Sequence, residues 1–497
     1  MFVISDVDEM KLATRWTNKK VLVIGIARQG IALTRYLSNH GANLIVNDQR
    51  TFEQLGDACE KLADLQVKWV VGSHPLSILE GVDLVCISGG VPLDNPLVLE
   101  AKRRNIPISN DSQIFLEECP CKVVGITGSA GKTTTTTIVG LIALAAVEKM
   151  RGDSKVKGSS HPRFIPYDSK SKVWVGGNIG SPLISKVDQM HENDLAIMEL
   201  SSFQLEVMRS SPEVAAILNI TPNHLDRHET MDNYVAAKAR IIGFQSSQDI
   251  AVLNFDDPIV RRLAEDINGE LVVFSNQKIN QDSTCVYFDP GSQSVLIDYP
   301  DQWGLNSEKI IHRQAIPLRG EHNLMNVIGA CAIAAACGFP PSAMEIGVRN
   351  FQGIPHRLEF VRSWHGADWY NDSIATAPER TIAALNSFNE PIILLAGGRD
   401  KKLPWDEFAA LVCRRVKHLI LFGEAAEVIS AALTQYEQES KIKVTYCLGL
   451  QEAVKTAATI VEPGDVVLLS PGGTSFDEFT DFEQRGEEFK KWIMELE

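Results

Sequence analysis

Lys122-Val-Val-Gly-Ile-Thr-Gly-Ser-Ala-Gly-Lys-Thr-Thr-Thr135 is the most informative stretch of the chain. Apolar Val123–Ile126 reads as a buried strand, and Thr133–Val147 reads as a helix, with a Gly-rich turn between them. Successive backbone N–H groups in such a turn can surround phosphate oxygens, and the helix N-terminus adds a favourable partial charge. Lys132 supplies a cation for terminal phosphates, and the Thr133 hydroxyl can hold Mg²⁺. The spacing departs from the general GxxxxGK[ST] form, because Ile126 stands where its first glycine falls. The shorter Gly128-Ser-Ala-Gly-Lys-Thr133 fits instead. Thr127, Gly128, Ser129, Ala130, Gly131, Lys132, Thr133 and Thr134 are thus expected to line a site for ATP or GTP.

On both sides of this loop, short apolar β-branched runs alternate with helix-length segments, the pattern of α/β folds whose mostly parallel sheets are covered by helices. At ~150 residues per domain, 497 residues suggest about three domains. Residues 1–118 form a Rossmann-like block with strands expected at Val21–Ile24, Leu44–Val46, Val67–Val71 and Leu84–Ser88. Residues 119–354 form a P-loop block with strands at Lys122–Ile126, Leu195–Glu199, Val214–Asn219 and Ile250–Asn254. Residues 355–497, after the turn-like Gly353-Ile-Pro355, form a second Rossmann-like block with strands at Trp369–Asp372, Ile392–Ala396, His418–Phe422 and Val466–Ser470. Met150–Lys172 is polar, rich in Ser and Lys and without hydrophobic period, and reads as a mobile surface insertion.

Forty-eight Lys and Arg against 63 Asp and Glu give a net charge of −15, which argues against nucleic acid or an anionic membrane as partner. The longest apolar run, Ile138–Val147, is about half of a bilayer span. The acidic start lacks the layout of a signal peptide. Nine scattered cysteines, with only Cys119 and Cys121 close together, suit free thiols in a reducing cytoplasm.

In the first block, Gly25-Ile-Ala-Arg-Gln-Gly30 follows a strand, and Asp48 ends the next. This is a partial dinucleotide fingerprint whose middle glycine is replaced by Ala27, which weakens an NAD(P) reading. In the second block, Glu199 ends one expected strand and His224 follows another, so both can project from the carboxyl edge of one sheet, where open α/β sheets bind ligands. Asn323 and Asn326 are three apart on an expected helix and share a face.

Further motifs are Gly176-Gly-Asn-Ile-Gly180, Met198-Glu-Leu-Ser-Ser-Phe-Gln-Leu-Glu206, Leu218-Asn-Ile-Thr-Pro-Asn-His-Leu-Asp-Arg227, Tyr234-Val-Ala-Ala-Lys-Ala-Arg240 and Gly320-Glu-His-Asn-Leu-Met-Asn326. With the phosphate loop, they closely resemble the Mur ligases, the ATP-dependent amide-forming enzymes of peptidoglycan synthesis. The tail from Leu469-Ser-Pro-Gly-Gly-Thr-Ser-Phe476 through Phe482-Glu-Gln-Arg-Gly486, with the Gly25–Gly30 front, resembles the branch that joins D-glutamate to UDP-N-acetylmuramoyl-L-alanine. The chemistry implied is transfer of a γ-phosphoryl group to a carboxylate. The resulting acyl phosphate is attacked by the incoming amine, and closing domains exclude water.

The resemblance implies a catalytic set of Lys132, Glu199, His224 and Lys238, with Thr133, Glu199, His224 and Lys238 serving two Mg²⁺ ions. It also implies that Lys238 is carbamylated, which requires a neutral amine and hence a depressed pKa. Asn323, Asn326, Arg357 and Asp372 are implied around the ATP base, ribose and phosphates. Gly25, Arg28, Gln29, Gly30, Asp48, Ser88 and Gly90 are implied at the UDP group, with Asp48 on the uracil, and Asn178, Ser201 and Gln204 around the sugar and its alanyl arm. Thr376, Lys401, Ser475 and Phe482 are implied around the amino acid. The family run Asp-Ser-Lys-Ala-Thr-Asn reads Asp372-Ser-Ile-Ala-Thr-Ala377 here, and Arg399 or Arg380 can replace the missing charge. A monomer acting on small molecules is expected. The rival readings are a related ligase using another amino acid, such as a folylpolyglutamate-type enzyme, an oxidoreductase resting on the Gly25–Asp48 pattern, and a non-catalytic nucleotide-gated module.

Overall fold

The computed structural model describes residues 15–152, 168–280, 282–300, 307–434, 436 and 442–496. Residues 153–167, most of the Met150–Lys172 segment, lie outside the described residues. Strands apolar on both faces need cover on both faces, and parallel sheets flanked by helices supply it. In the first sheet, β1 (Lys20–Ile24), β2 (Asn43–Asp48), β3 (Val67–Val71), β4 (Leu84–Ile87) and β5 (Ile108–Ser109) run parallel in the order β3-β2-β1-β4-β5. The order reverses between β1 and β4. The carboxyl ends of that pair therefore form the crevice where such sheets take ligands.

The second sheet contains β6 (Lys122–Thr127), β7 (Val173–Gly177), β8 (Leu195–Glu199), β9 (Val214–Ile217), β10 (Ile250–Asn254), β11 (Glu270–Ser275), β12 (Thr284–Asp289), β13 (Ser294–Asp298) and β14 (Glu308–His312). Their order is β14-β13-β12-β11-β10-β9-β6-β8-β7, parallel from β7 to β12, with β13 and β14 antiparallel. β6 lies between β8 and β9, with Ile126 beside both Glu199 and Ala216. That register brings the phosphate loop, the acidic tip of β8 and the segment after β9 to one edge.

The third sheet contains β15 (Glu359–Trp364), β16 (Ala367–Asn371), β17 (Ile392–Gly397), β18 (Val416–Phe422), β19 (Lys443–Cys447) and β20 (Val466–Gly472). Its order is β15-β16-β20-β17-β18-β19, with only β15 antiparallel. The chain divides into two compact units, Met1–Pro317 with Glu321–Phe351, and Leu318–Gly320 with Gln352–Glu497. One apolar core in the first unit runs from Trp16 and Val21 of the first sheet to Leu253 of the second. Two cores, one built around Leu394 and the other around Leu395, fill the faces of the third sheet.

Each strand expected from the sequence is present, with ends moved by one or two residues. The structure adds β5, β7, β11–β15 and β19. Several of these are short, broken by glycine or only half-buried, and so lack a continuous apolar run. All nine cysteines carry free thiols. Among the described residues no helix is long and apolar enough to cross a membrane.

The helix Lys132–Gly152 that follows the loop packs against the helix Pro341–Arg349 at Gly347, where a Cβ would sit 2.6 Å from the Ile142 Cα. Backbone cannot yield as a side-chain tip can. Gly347→Val is therefore expected to destabilise the first unit by about 1–3 kcal/mol through overpacking, checked by a lower urea midpoint.

Candidate active site

The loop between β6 and its helix is shaped by glycine and held by Asn219. Gly131 has φ +79°, a left-handed conformation that favours glycine, and a Cβ there would overlap the Asn326 side-chain oxygen. Asn219 accepts from the Ser129 N–H at its backbone oxygen (2.9 Å) and from the Ala130 N–H at Oδ1 (2.8 Å). Its Nδ2 donates back to the Ala130 carbonyl at 3.1 Å. The amides of Ser129 and Ala130 are therefore engaged by protein. The N–H groups that lack an intrahelical acceptor are those of the first turn, from Lys132 to Thr134. Asn219 lies within the Leu218–Arg227 motif, and a side chain that braces a loop leaves no spacing signal.

Four of the expected catalytic and metal residues meet at this loop. Lys132 Nζ donates to the Gly128 carbonyl at 2.8 Å, and Lys238 Nζ donates to the same carbonyl at 2.9 Å. Thr133 Oγ1 donates to Glu199 Oε2 at 2.8 Å, and Asn178 Nδ2 donates to Glu199 Oε1 at 2.9 Å. Glu199 is 2% exposed and Lys238 1% exposed. Burial pushes the Lys238 ammonium down to about 7, with the Lys132 charge acting in the same direction and Glu199 opposing. Lys238 also lies 4.8 Å from the Tyr234 ring centroid, and Tyr234 shares a hydrogen bond with Ser129 Oγ at 2.9 Å. Thr127 Oγ1 donates to the Leu200 carbonyl at 2.8 Å, and Thr134 is buried.

His224 takes the left-handed φ of 53° and stands at the start of the short helix Leu225–His228, with its ring 5.1 Å from that of Phe203. Asn326 Nδ2 donates to Asn323 Oδ1 at 3.1 Å, so the pair shares one face as expected, with Asn326 set against the phosphate loop at Gly131.

At the first sheet, Gly25 has φ +87° and Ser88 Oγ donates to its carbonyl at 2.6 Å. A Cβ on Gly30 would lie 2.9 Å from Ser88 Oγ, so these three residues form one tight turn. Asp48, expected at the uracil, is hydrogen-bonded within this turn. Its Oδ2 accepts from the Ile26 N–H and Arg50 Nη2, each at 2.8 Å, and its Oδ1 accepts from the Arg50 N–H (2.9 Å) and Nε (3.0 Å). A carboxylate has about four acceptor sites, and all four are in use. These bonds hold its pKa at about 2, against the raising effect of burial. Asp48 clamps the turn.

Gln204, expected near the sugar and its alanyl arm, is tied into the protein. It is 1% exposed, its Oε1 accepts from Ser201 Oγ at 2.8 Å in a capping box, and its Nε2 donates to Ser112 Oγ at 2.8 Å. It ties the helix after β5 to the segment after β8. Arg28 Nη2 donates to the Asn178 carbonyl at 2.8 Å, and Gln29 Oε1 accepts from the Gly89 N–H at 3.4 Å. Arg227, which the sequence did not single out, donates to the carbonyls of Gly89 and Val91 at 2.7 Å each, beside exposed Gly90.

In the second unit, loops at the carboxyl ends of neighbouring β16, β20 and β17 carry the remaining residues. Lys401 Nζ donates to Thr376 Oγ1 at 3.2 Å. Ser475 is buried, and Phe482 stands partly exposed with its ring edge toward His356. Asp372 is buried and accepts from Ser470 Oγ at 2.7 Å, and burial raises its carboxyl to about 7. Arg357 lies in the turn after Ile354, with its N–H donating to the Ile354 carbonyl at 3.0 Å. Arg485, also absent from the expected site, is fully buried. It donates to Ser373 Oγ (2.9 Å), the Ser373 carbonyl (2.8 Å) and the Gly473 carbonyl (3.2 Å).

A phosphate-binding helix start, an acidic strand tip and a buried amine on one sheet edge define a nucleotide-dependent α/β enzyme. Profiles for the Mur ligase MurD-like N-terminal domain, the Mur ligase middle domain and the Mur ligase glutamate ligase domain match residues 19–110, 126–334 and 356–473. A UDP-N-acetylmuramoylalanine–D-glutamate ligase of Acetivibrio thermocellus is 36% identical over 484 residues, 97% of each chain. One of Ruminiclostridium cellulolyticum is 38% identical, covering 96% of this chain and 97% of that one. The UDP-N-acetylmuramate-alanine ligase MurC of Thermotoga maritima shares the fold at TM-score 0.54 and 18% identity, over 96% of this chain and 99% of that one. A MurF ligase of the same organism, solved in complex with ADP, has TM-score 0.52 and 19% identity over 97% of each chain. The chain belongs to the Mur ligase family, ATP-dependent amide-forming enzymes that use Mg²⁺.

Lys132→Ala removes the loop's cation and is expected to abolish turnover. Calorimetric titration with ATP should show affinity reduced about tenfold or more, the loss of one charge-assisted contact.

Proposed function

We propose that this chain joins D-glutamate to UDP-N-acetylmuramoyl-L-alanine in the cytoplasm, as a monomer, with ATP converted to ADP and phosphate through an acyl phosphate. The observation that carries this reading is the meeting of Lys132 and Lys238 on the Gly128 carbonyl, beside the Thr133–Glu199 bond. The names of the relatives support the choice of amino acid and acceptor. Work divides along the chain, with UDP-sugar binding in 1–118, ATP in 119–354 and the amino acid in 355–497.

Each group has a task that its surroundings suit. Lys132 and the first-turn amides bind the terminal phosphates, while Asn323, Asn326, Arg357 and Asp372 contact the rest of the nucleotide. Gly25, Arg28, Gln29, Gly30, Asp48, Ser88 and Gly90 take the UDP group, and Asn178, Ser201 and Gln204 face the sugar and its alanyl arm. Thr376, Lys401, Ser475 and Phe482 hold the amino acid, whose amine attacks the acyl phosphate.

The oxygen donors of Thr133 and Glu199 suit Mg²⁺, which takes one or two carboxylates and shares its remaining positions with substrate phosphates. Among the described residues, no group of three or more His, Cys, Asp or Glu builds a protein-only cage. Thr133, Glu199, His224 and Lys238 would hold the metal. When bound, Mg²⁺ screens the crowded phosphate oxygens during transfer. A lysine amine that loses its proton near pH 7 can add CO₂, so Lys238 becomes a carbamate and offers oxygen where an ammonium stood.

The decisive test is phosphate release with UDP-N-acetylmuramoyl-L-alanine and a panel of amino acids. Turnover should require both the UDP-sugar and D-glutamate. Release that needs neither overturns the reading, and preference for another amino acid redirects it within the family. Lys238→Ala should lower kcat about 100- to 1,000-fold, the size of effect seen when one electrostatic group is removed, with partial recovery by short carboxylates. Above pH 7 the neutral amine dominates, and below it the ammonium does. Bicarbonate should therefore reactivate CO₂-depleted enzyme more at pH 8 than at pH 6, as measured by initial rates.

A further inference from the structure

An amino acid with a carboxylate side chain presents two negative groups, and a site that selects it needs two cations or their equivalent. Lys401, anchored on the Thr376 hydroxyl at 3.2 Å, provides one. Three arginines lie on neighbouring elements of the second unit, and the structure separates them. Arg399 is held by Glu424 in a bidentate pair, Nε to Oε2 at 2.8 Å and Nη2 to Oε1 at 3.0 Å, so its charge is already matched. Arg485 is fully buried, with its donors spent on Ser373 and Gly473, and feels Asp477 and Glu478.

Arg380 differs from both. It is exposed and makes no ion pair with any described carboxylate. Its guanidinium reaches back to the Ile374 carbonyl, Nη1 to O at 3.4 Å, which places its charge against the loop that carries Thr376. It occupies the third position of the helix Pro378–Leu385, whose positive end disfavours a cation, so helix stability does not account for it. Glu379, the adjacent residue, suits that end. Lys401 registers Arg380 as the largest charge effect on its ammonium after burial, with Glu379 opposing and Arg485 adding to it.

We propose that Arg380 and Lys401 form the paired-cation seat for the two carboxylates of the incoming amino acid, with Arg380 setting the preference for an acidic side chain. This inference rests on the proposed reaction and names a specificity residue within it. Arg485 is a positioning residue beneath the seat, tying the Ser373 loop to the Gly473 loop.

The test is steady-state phosphate release by the full chain at saturating ATP and UDP-N-acetylmuramoyl-L-alanine, with D-glutamate or D-glutamine varied. Arg380→Gln should raise the KM for D-glutamate about 10- to 100-fold, the loss of one charge-assisted contact, and leave kcat and the KM for ATP within about threefold. It should also narrow the preference for D-glutamate over D-glutamine, while Arg380→Lys restores most of it and Arg399→Gln changes neither. An unchanged KM in Arg380→Gln, a loss confined to kcat, or a shift in Arg399→Gln instead overturns the inference and leaves the proposed reaction standing. Absence of D-glutamate-dependent turnover in the unaltered chain removes both.

Discussion

The active-site half of this molecule depends on two lysines sharing one backbone carbonyl. Lys132 and Lys238 arrive from the helix after the phosphate loop and from a helix over a hundred residues later, and both donate to Gly128. Bringing two ammonium groups together away from water is unfavourable, because each charge loses hydration and repels the other. The carbonyl dipole and the buried Glu199 carboxylate offset part of that cost. The remainder falls on Lys238, the more buried of the two, whose proton is held weakly near neutrality. The chemical character of one amine thus follows from the position of another and from the register that sets Ile126 beside Glu199.

Each polar group around this point is held from two sides. Glu199 is fixed by Thr133 and Asn178, the loop by Asn219 and by the Ser129–Tyr234 bond, and Asn326 packs where only a glycine at 131 leaves room. Such restraint keeps dipoles aimed before a substrate arrives, which is where electrostatic catalysis gains most of its effect. The same economy appears at the first sheet. Asp48 and Arg50 spend their hydrogen bonds on the Gly25 turn, and Gln204 spends its own on a capping box and on Ser112.

In the second unit a buried arginine does comparable work. Arg485 crosses between the loops after β16 and β20 and satisfies their carbonyls, so Thr376 and Ser475 are presented by backbone that is pinned rather than loose. Its guanidinium stays charged even though burial lowers its pKa to about 10, and its field adds to that of Lys401 and Arg380.

Much of this was legible in the linear chain, and the reason is local. Continuous apolar runs of this length favour covered strands, and glycines followed by Lys132 and Thr133 after a strand favour a phosphate-binding helix start, so the α/β class, twelve strands and the nucleotide loop follow from residues near one another in sequence. Eight strands were not legible, since an edge strand such as β14 is stabilised by its neighbour's hydrogen bonds more than by its own apolar content. How the polar atoms of the expected site residues are bonded within the protein was equally hidden. Asp48 and Gln204 are legible as polar groups in the chain, but their bonds to Arg50 and Ser201 are not. Arg380 and Arg399 are indistinguishable as letters until Glu424 is seen to claim one of them. Residue type and spacing determine which chemistry is on offer; which polar atoms remain unspent is decided only when distant segments come within hydrogen-bonding distance.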